Sequence, residues 1–75
     1  MADIMDFNMQ PVASTQIAAV GFDPNSSTGR VEFMNGSVYL YPNATPDEYA
    51  QIVNSASVGR SFNELWKYSK AYYRE

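Results

Sequence analysis

The chain has 75 residues, which limits it to one small domain with a marginal core. It contains no cysteine and no histidine, which excludes disulfide staples, thiolate or imidazole metal ligands and the commonest general base. Its net charge of −3 argues against the basic surface that most nucleic-acid-binding domains carry. No segment approaches the about 18 apolar residues of a membrane span. The acidic N-terminus does not resemble a signal peptide, so we expect a cytoplasmic protein.

The chain begins with a segment that shows no hydrophobic period, and we expect residues 1–13 to form a weakly ordered N-terminal arm. Alternating residues over 16–22 then predict a first strand, with Val20 and Phe22 on one face and Ile17 and Gly21 on the other. Residues 23–29 are a run of turn formers and predict a loop.

The strongest local signal is a hairpin formed by two alternating runs, residues 30–34 and 37–41, around Asn35-Gly36. Asn-Gly is typical of a two-residue type I′ turn, which would pair Met34 with Ser37. This register predicts a face buried against the following helix, made of Val31, Phe33, Val38 and Leu40. The opposite face would carry Arg30, Glu32, Tyr39 and Tyr41. A shift by one residue would exchange the two sets.

Two helices are predicted after the hairpin. Thr45-Pro46-Asp47-Glu48 has the form of a capping box with proline at the first helical position, and predicts a helix to about Ser55. Ser61 and Glu64 have the same spacing and predict a second helix that runs to the end of the chain. The predicted fold is therefore a single α+β domain, a three-stranded antiparallel β-meander followed by two helices (β-β-β-α-α). We divide it into the arm (1–13), a domain over 14–65 and a C-terminal helical extension over 66–75.

No catalytic constellation is apparent in the sequence. The adjacent carboxylates Asp47 and Glu48 and the carboxylate of Glu64 are accounted for by helix capping, and the glycines are scattered among turns without forming a phosphate-binding loop. We therefore expect no catalytic residue, no metal site and no cofactor.

Two surfaces are candidates for binding a partner. Tyr39 and Tyr41 beside Arg30 could stack on bases, unless the last helix covers them. Residues 66–74 interleave aromatic and basic side chains, which suits single-stranded nucleic acid or a protein hot spot; the same pattern also fits a helix with a solvated basic face. The candidate residues are Arg30, Tyr39, Tyr41, Trp66, Lys67, Lys70, Tyr72, Tyr73 and Arg74.

Three motifs resemble the KTSC domain, a small family named for the C-terminus of some lysyl-tRNA synthetases and also found as stand-alone bacterial and phage proteins. They are the Ser-x-x-Ile opening that runs from Ser14 to Asp23, the central Tyr39-Leu-Tyr41, and the Ser-x-Gly-x-x-Phe-Asn close from Ser57 to Asn63. The resemblance covers residues 12–65. It departs from the family pattern at Ser61, where Tyr or Phe is frequent.

The resemblance implies no enzymatic activity. It suggests RNA binding, because the family is associated with lysyl-tRNA synthetases. Our first hypothesis, which combines it with the acidic composition, is a non-catalytic module for a protein partner, such as a phage accessory or inhibitory protein. The first alternative is an RNA- or single-stranded nucleic-acid-binding module. The second is an oligomeric small-molecule or nucleotide-binding protein, with its pocket at a symmetric interface between copies.

Overall fold

The computed structural model describes residues 7–75. The elements are the strands β1 (Gln10–Pro11), β2 (Ile17–Asp23), β3 (Thr28–Phe33) and β4 (Val38–Pro42), the helices α1 (Pro46–Val53) and α2 (Val58–Phe62), a π-helical turn (Asn63–Lys67) and a last strand, β5 (Tyr73–Arg74). The strands form one antiparallel sheet in the order β1-β2-β3-β4-β5. The α+β class and the central meander are confirmed, and two short edge strands extend the sheet beyond the three that were predicted.

The described part of the predicted arm is docked on the sheet, while residues 1–6 lie outside the described residues. β1 pairs with β2, and the Phe7 carbonyl accepts a hydrogen bond of 2.6 Å from the Phe22 N–H. Gly21 makes this approach possible, because a Cβ at that position would overlap the Met9 side chain and the Phe7 backbone.

The β3–β4 hairpin closes with three residues, one more than the Asn-Gly pair predicted. The Phe33 N–H donates to the Ser37 carbonyl at 2.8 Å, so residues 34–36 form the loop. A type I′ turn needs positive φ at both central residues. Gly36 has a φ of +91°, but Asn35 is not in that region. The predicted pairing of Met34 with Ser37 is therefore wrong by one residue.

The one-residue shift exchanges the faces of β4. Val31 pairs with Tyr39, and Arg30 pairs with Leu40. Residues that pair directly across two antiparallel strands lie on the same face of the sheet. Val31 is buried under the helices as predicted, but Tyr39 and Tyr41 share that face, whereas Val38 and Leu40 lie on the outer face with Arg30 and Glu32. The prediction that Val38 and Leu40 are buried against α1 is wrong for this reason.

The first predicted capping box is confirmed and the second is not. The Glu48 N–H donates to Thr45 Oγ1 at 3.2 Å, and the Thr45 N–H donates to Glu48 Oε1 at 3.0 Å. α2 begins one turn earlier than the second box predicted, at Val58, because Val58 and Phe62 are one turn apart on the buried side of the helix. Ser61 therefore lies inside the helix, where its hydroxyl donates to Ser55 Oγ at 2.7 Å.

The core lies between the sheet and the helices. Its buried members are Ile17, Val20, Phe22, Val31, Tyr41, Ala44, Ile52, Val58, Phe62 and Trp66. Trp66 is fully buried and packs against Gly29, where a Cβ would overlap the indole ring. Ile17 joins this face because a bulge interrupts the β2–β3 pairing between Ile17 and Ala19.

The helix that was predicted over residues 66–75 ends at Lys67. The Tyr68 N–H donates to the Asn63 carbonyl, five residues back, at 3.1 Å, which closes the π-helical turn. The chain then turns toward the sheet, and β5 pairs with β4. Burial of Trp66 on the sheet and pairing with the open β4 edge account for this departure from a helical extension. Among the described residues, no helix is long and apolar enough to cross a bilayer.

Candidate functional site

An open cleft of about 350 Å³ lies between the β3–β4 hairpin and the segment that links the π-helical turn to β5. We call it the aromatic cleft, because five of its eight lining residues are aromatic and none is a carboxylate. The lining residues are Phe33, Asn35, Ser37, Tyr39, Tyr41, Lys67, Tyr68 and Tyr72.

Four of the five rings in the cleft contact one another. The Tyr72 ring centre lies 5.4 Å from that of Tyr39, edge-on at 86°, and 5.8 Å from that of Tyr41. Phe33 meets Tyr39 at 5.6 Å, also edge-on. These separations are within the range of favourable aromatic pairs. The walls are therefore formed before any ligand arrives.

Tyr41 forms the floor of the cleft and is 2% exposed. Its ring stacks on Trp66 at 5.6 Å and contacts Phe62 edge-on at 5.4 Å. Burial raises the pKa of Tyr41 to about 12, and the neighbouring Tyr72 and Tyr39 contribute further. The hydroxyl therefore stays protonated further into the alkaline range than that of an ordinary tyrosine.

The rim is formed by Tyr68 and Tyr72, which are 75% and 55% exposed. The Lys67 ammonium lies 5.5 Å from the centre of the Tyr68 ring. Two large rings exposed at one cleft of a small domain mark a surface suited to a partner.

Three of the predicted binding residues have structural roles outside the cleft. Arg30 lies on the outer face, where its guanidinium donates to both Glu75 carboxylate oxygens at 2.9 and 3.1 Å. This bond raises the pKa of Arg30 and lowers that of Glu75. Lys70 donates to the Asn43 carbonyl at 2.7 Å and lies 3.3 Å from Glu48 Oε2.

Trp66 is the third of these residues. It is fully buried, so it presents no surface to a partner. Its indole N–H donates to Glu48 Oε1 at 3.2 Å. Trp66 therefore belongs to the core, and its part in the cleft is to support the Tyr41 ring.

The other predicted residues divide between the two faces of the sheet. Tyr39, Tyr41, Lys67 and Tyr72 line the cleft. Arg74 is paired with Tyr39 in the β4–β5 ladder, which places it on the cleft side, whereas Tyr73 is paired with Leu40 on the outer face.

Sequence reasoning missed Phe33, Asn35, Ser37 and Tyr68 as cleft residues. Phe33 was placed on the face opposite Tyr39 by the predicted two-residue turn, and the correct loop length would have placed both on one face. Tyr68 lay within the aromatic and basic segment but was not singled out there, because a helix was expected to continue through it.

A second, polar recess lies between the start of β2 and the start of α2, and it contains several residues of the sequence motifs. Ser14 Oγ accepts hydrogen bonds from the N–H groups of Gln16 and Ile17, both at 3.2 Å, and so fixes the entry into β2. Ser57 stands at the N-cap of α2, and its backbone carbonyl accepts from the Ser55 hydroxyl at 3.0 Å. These contacts give the motif serines a local structural role. Within residues 7–75 no group of three His, Cys, Asp or Glu side chains could hold a metal ion.

Comparison with known proteins shows the family of this chain. The KTSC domain family model matches residues 13–69. The chain belongs to the KTSC domain family. The matched segment of this KTSC domain includes Trp66, Lys67 and Tyr68, and ends before Tyr72 and β5.

Individual relatives agree with this assignment. A protein of Tsukamurella paurometabola is 36% identical over 59 residues, which cover 79% of this chain and 88% of the relative. A protein of Stutzerimonas stutzeri is 32% identical over 54 residues, covering 72% of this chain and 76% of the relative. The crystal structure of a KTSC domain protein from Yersinia pestis matches with a TM-score of 0.85 at 24% identity, over 93% of this chain and 99% of that one. This last likeness shows a common fold.

Proposed function

We propose that this KTSC domain is a non-catalytic binding module that receives a segment of a protein partner in the aromatic cleft. The observation that carries the proposal is the convergence of five rings on one open cleft, two of them more than half exposed. Tyrosine is enriched at protein hot spots and supplies a large contact area at low conformational cost. Four of the five rings contact one another, so little ordering of these four is required on binding.

The ionisable groups of the cleft support a non-catalytic role. They are the Lys67 ammonium and the tyrosine hydroxyls, with no carboxylate among the lining residues. Paired acids, or an acid with a base, are what hydrolytic and transfer reactions use. The proposal therefore assigns recognition to this cleft.

The cations favour a protein over a nucleic acid as the partner. Nucleic-acid affinity depends on several phosphate contacts. Arg30 and Lys70, two of the cations predicted for that role, are paired with Glu75 and Glu48. This leaves Lys67 and Arg74 as the predicted cations on the cleft side that form no ion pair within residues 7–75. Two cations can contact few of the phosphates of a nucleic-acid strand. The proposal includes a cytoplasmic location, and an accessory or inhibitory role of the phage type if the partner is a host protein.

The test is affinity capture from a nuclease-treated bacterial lysate, with the wild-type protein and two tyrosine variants. Tyr68→Ser removes a rim ring, while Tyr73→Ser is the matched control, because Tyr73 is 66% exposed on the other face of the sheet. We expect wild type and Tyr73→Ser to retain the same protein, and Tyr68→Ser to bind it at least about 30-fold more weakly, the effect of a hot-spot residue. Capture that disappears with nuclease treatment, or that survives in Tyr68→Ser, contradicts the proposal.

A further inference from the structure

Two cations on the cleft side of the sheet have no counterion among the described residues. Lys67 lines the cleft, and Arg74 stands opposite Tyr39 on the same side of the sheet. Among residues 7–75 neither forms an ion pair, whereas Arg30 and Lys70 do. Glu64, one turn before Lys67, is exposed and does not pair with it.

Two carboxylates of the described residues are engaged in other contacts. Glu75 follows Arg74 but binds Arg30 on the outer face, and Glu48 binds Lys70 and the Trp66 indole. The lining of the cleft therefore carries one cation and no carboxylate, on a chain whose net charge is −3. Apolar walls strengthen the field of such charges, because they replace water of high dielectric constant.

We propose, on the basis of the proposed function, that the partner segment is an acidic peptide with an apolar anchor. An aromatic or aliphatic side chain occupies the space between Tyr68 and Tyr72, and an Asp or Glu close to it in the partner sequence faces Lys67 and Arg74. The cleft volume of about 350 Å³ is at the small end of binding sites and suits one large side chain. Charge complementarity is what selects this partner over other apolar peptides.

The polar residues of the cleft fit a peptide backbone. Tyr41 lines the cleft, and its hydroxyl has no hydrogen bond to another residue of 7–75. The Asn35 carbonyl oxygen already accepts from the Ser37 N–H at 2.9 Å, which leaves the Asn35 amide nitrogen as a donor. Both groups can donate to the carbonyls of a bound peptide.

The experiment is a selection from a displayed library of random peptides against wild type, Lys67→Glu, Tyr68→Ser and the control Tyr73→Ser. We expect wild type and Tyr73→Ser to enrich peptides that combine an aromatic or aliphatic residue with Asp or Glu. Lys67→Glu should lose the acidic bias. A synthetic peptide from the wild-type selection should bind Lys67→Glu about tenfold more weakly at low salt, since an attraction becomes a repulsion. The difference should shrink at high salt.

Three other outcomes would overturn the inference, and one of them would also overturn the proposed function. Apolar peptides that are enriched without acidic residues, or with Lys and Arg, overturn this inference but leave the proposed function intact. Failure to enrich any peptide on wild type relative to Tyr68→Ser overturns both. Binding of a labelled oligouridylate more tightly than the best peptide also overturns the inference, and assigns the two cations to phosphates. Circular dichroism of each variant confirms that loss of binding is not loss of folding.

Discussion

At the scale of single residues, Tyr41 joins the core to the cleft. Its ring stacks on Trp66, meets Phe62 edge-on, and lies beside Tyr72 at the cleft. The same side chain therefore packs in the core and lines the cleft. Its contacts with the rigid core fix the position of the cleft floor. The ring supplies the packing and the hydroxyl supplies the polarity, so the two contributions can be separated by substitution.

Tyr41 is expected to make the stability of the domain fall at alkaline pH. A tyrosine in the unfolded chain has a pKa of about 10, while burial raises the pKa of Tyr41 to about 12. Between these values the unfolded state loses the proton first, so the free energy of unfolding decreases by up to about 1.4 kcal/mol per pH unit. The contribution is complete below pH about 10. Urea unfolding followed by circular dichroism from pH 8 upward measures this slope.

The control for this prediction is Tyr41→Phe, which keeps the ring. It should reduce the alkaline slope, and a smaller slope should remain because burial also raises the pKa of Tyr49. At pH 7 its stability should lie within about 1 kcal/mol of wild type, because no hydrogen bond within residues 7–75 is lost. Unfolding of Tyr41→Phe at pH 7 would show that the hydroxyl is a structural group.

At the scale of elements, the sequence predicted what depends on neighbours in the chain. Thr45 and Glu48 form their capping box because both partners lie within one turn, and the box was predicted correctly. The hairpin was located correctly, but its register was not, since Asn35-Gly36 fits two loops and the burial of Tyr41 on Trp66 selects between them. Trp66 is far from Tyr41 in the sequence, so no local pattern reveals that contact. The cleft was missed in part for the same reason.

β5 is expected to protect the edge of β4. It pairs with Tyr39 and Leu40, and the Glu75 N–H donates to the Val38 carbonyl at 2.8 Å. Deleting residues 72–75 leaves the core through Trp66 in place but exposes these backbone groups, and open strand edges associate. Light scattering should then give a larger mass than wild type at equal concentration, while circular dichroism still shows a folded chain. Tyr73→Ser keeps the backbone and should match wild type. A truncated protein of wild-type mass would show that the β4 edge needs no cover.

At the scale of the whole molecule, one core serves every element. Helices α1 and α2 and the π-helical turn cover one face of the sheet, and on the outer face the described arm and the Arg30–Glu75 pair cover part of the rest. A domain of this size has little stability to spare, because it buries only about 60% of the surface that the unfolded chain exposes. Cooperative unfolding is the expectation for such a molecule.

Trp66 is the single tryptophan of the chain and is expected to report this unfolding. Its emission should shift to longer wavelength as the core opens, with the same midpoint as the far-ultraviolet circular dichroism. Trp66→Ala should lower the free energy of unfolding by about 3 to 5 kcal/mol, because it leaves a large cavity below Tyr41. That is a large part of the about 5 to 15 kcal/mol of a typical domain. Two separate midpoints in wild type would mean that the cleft side and the rest of the sheet unfold independently.

The three-residue loop between Phe33 and Ser37 decides which side chains of β4 reach the cleft. Closing the same sequence with a two-residue turn would pair Met34 with Ser37 and shift every pair of the hairpin by one residue. Val38 and Leu40 would then lie in the cleft in place of Tyr39 and Tyr41. A change confined to the turn, such as one that lets Asn35 adopt the positive φ of a type I′ turn, would therefore replace the binding surface without altering a residue of either strand.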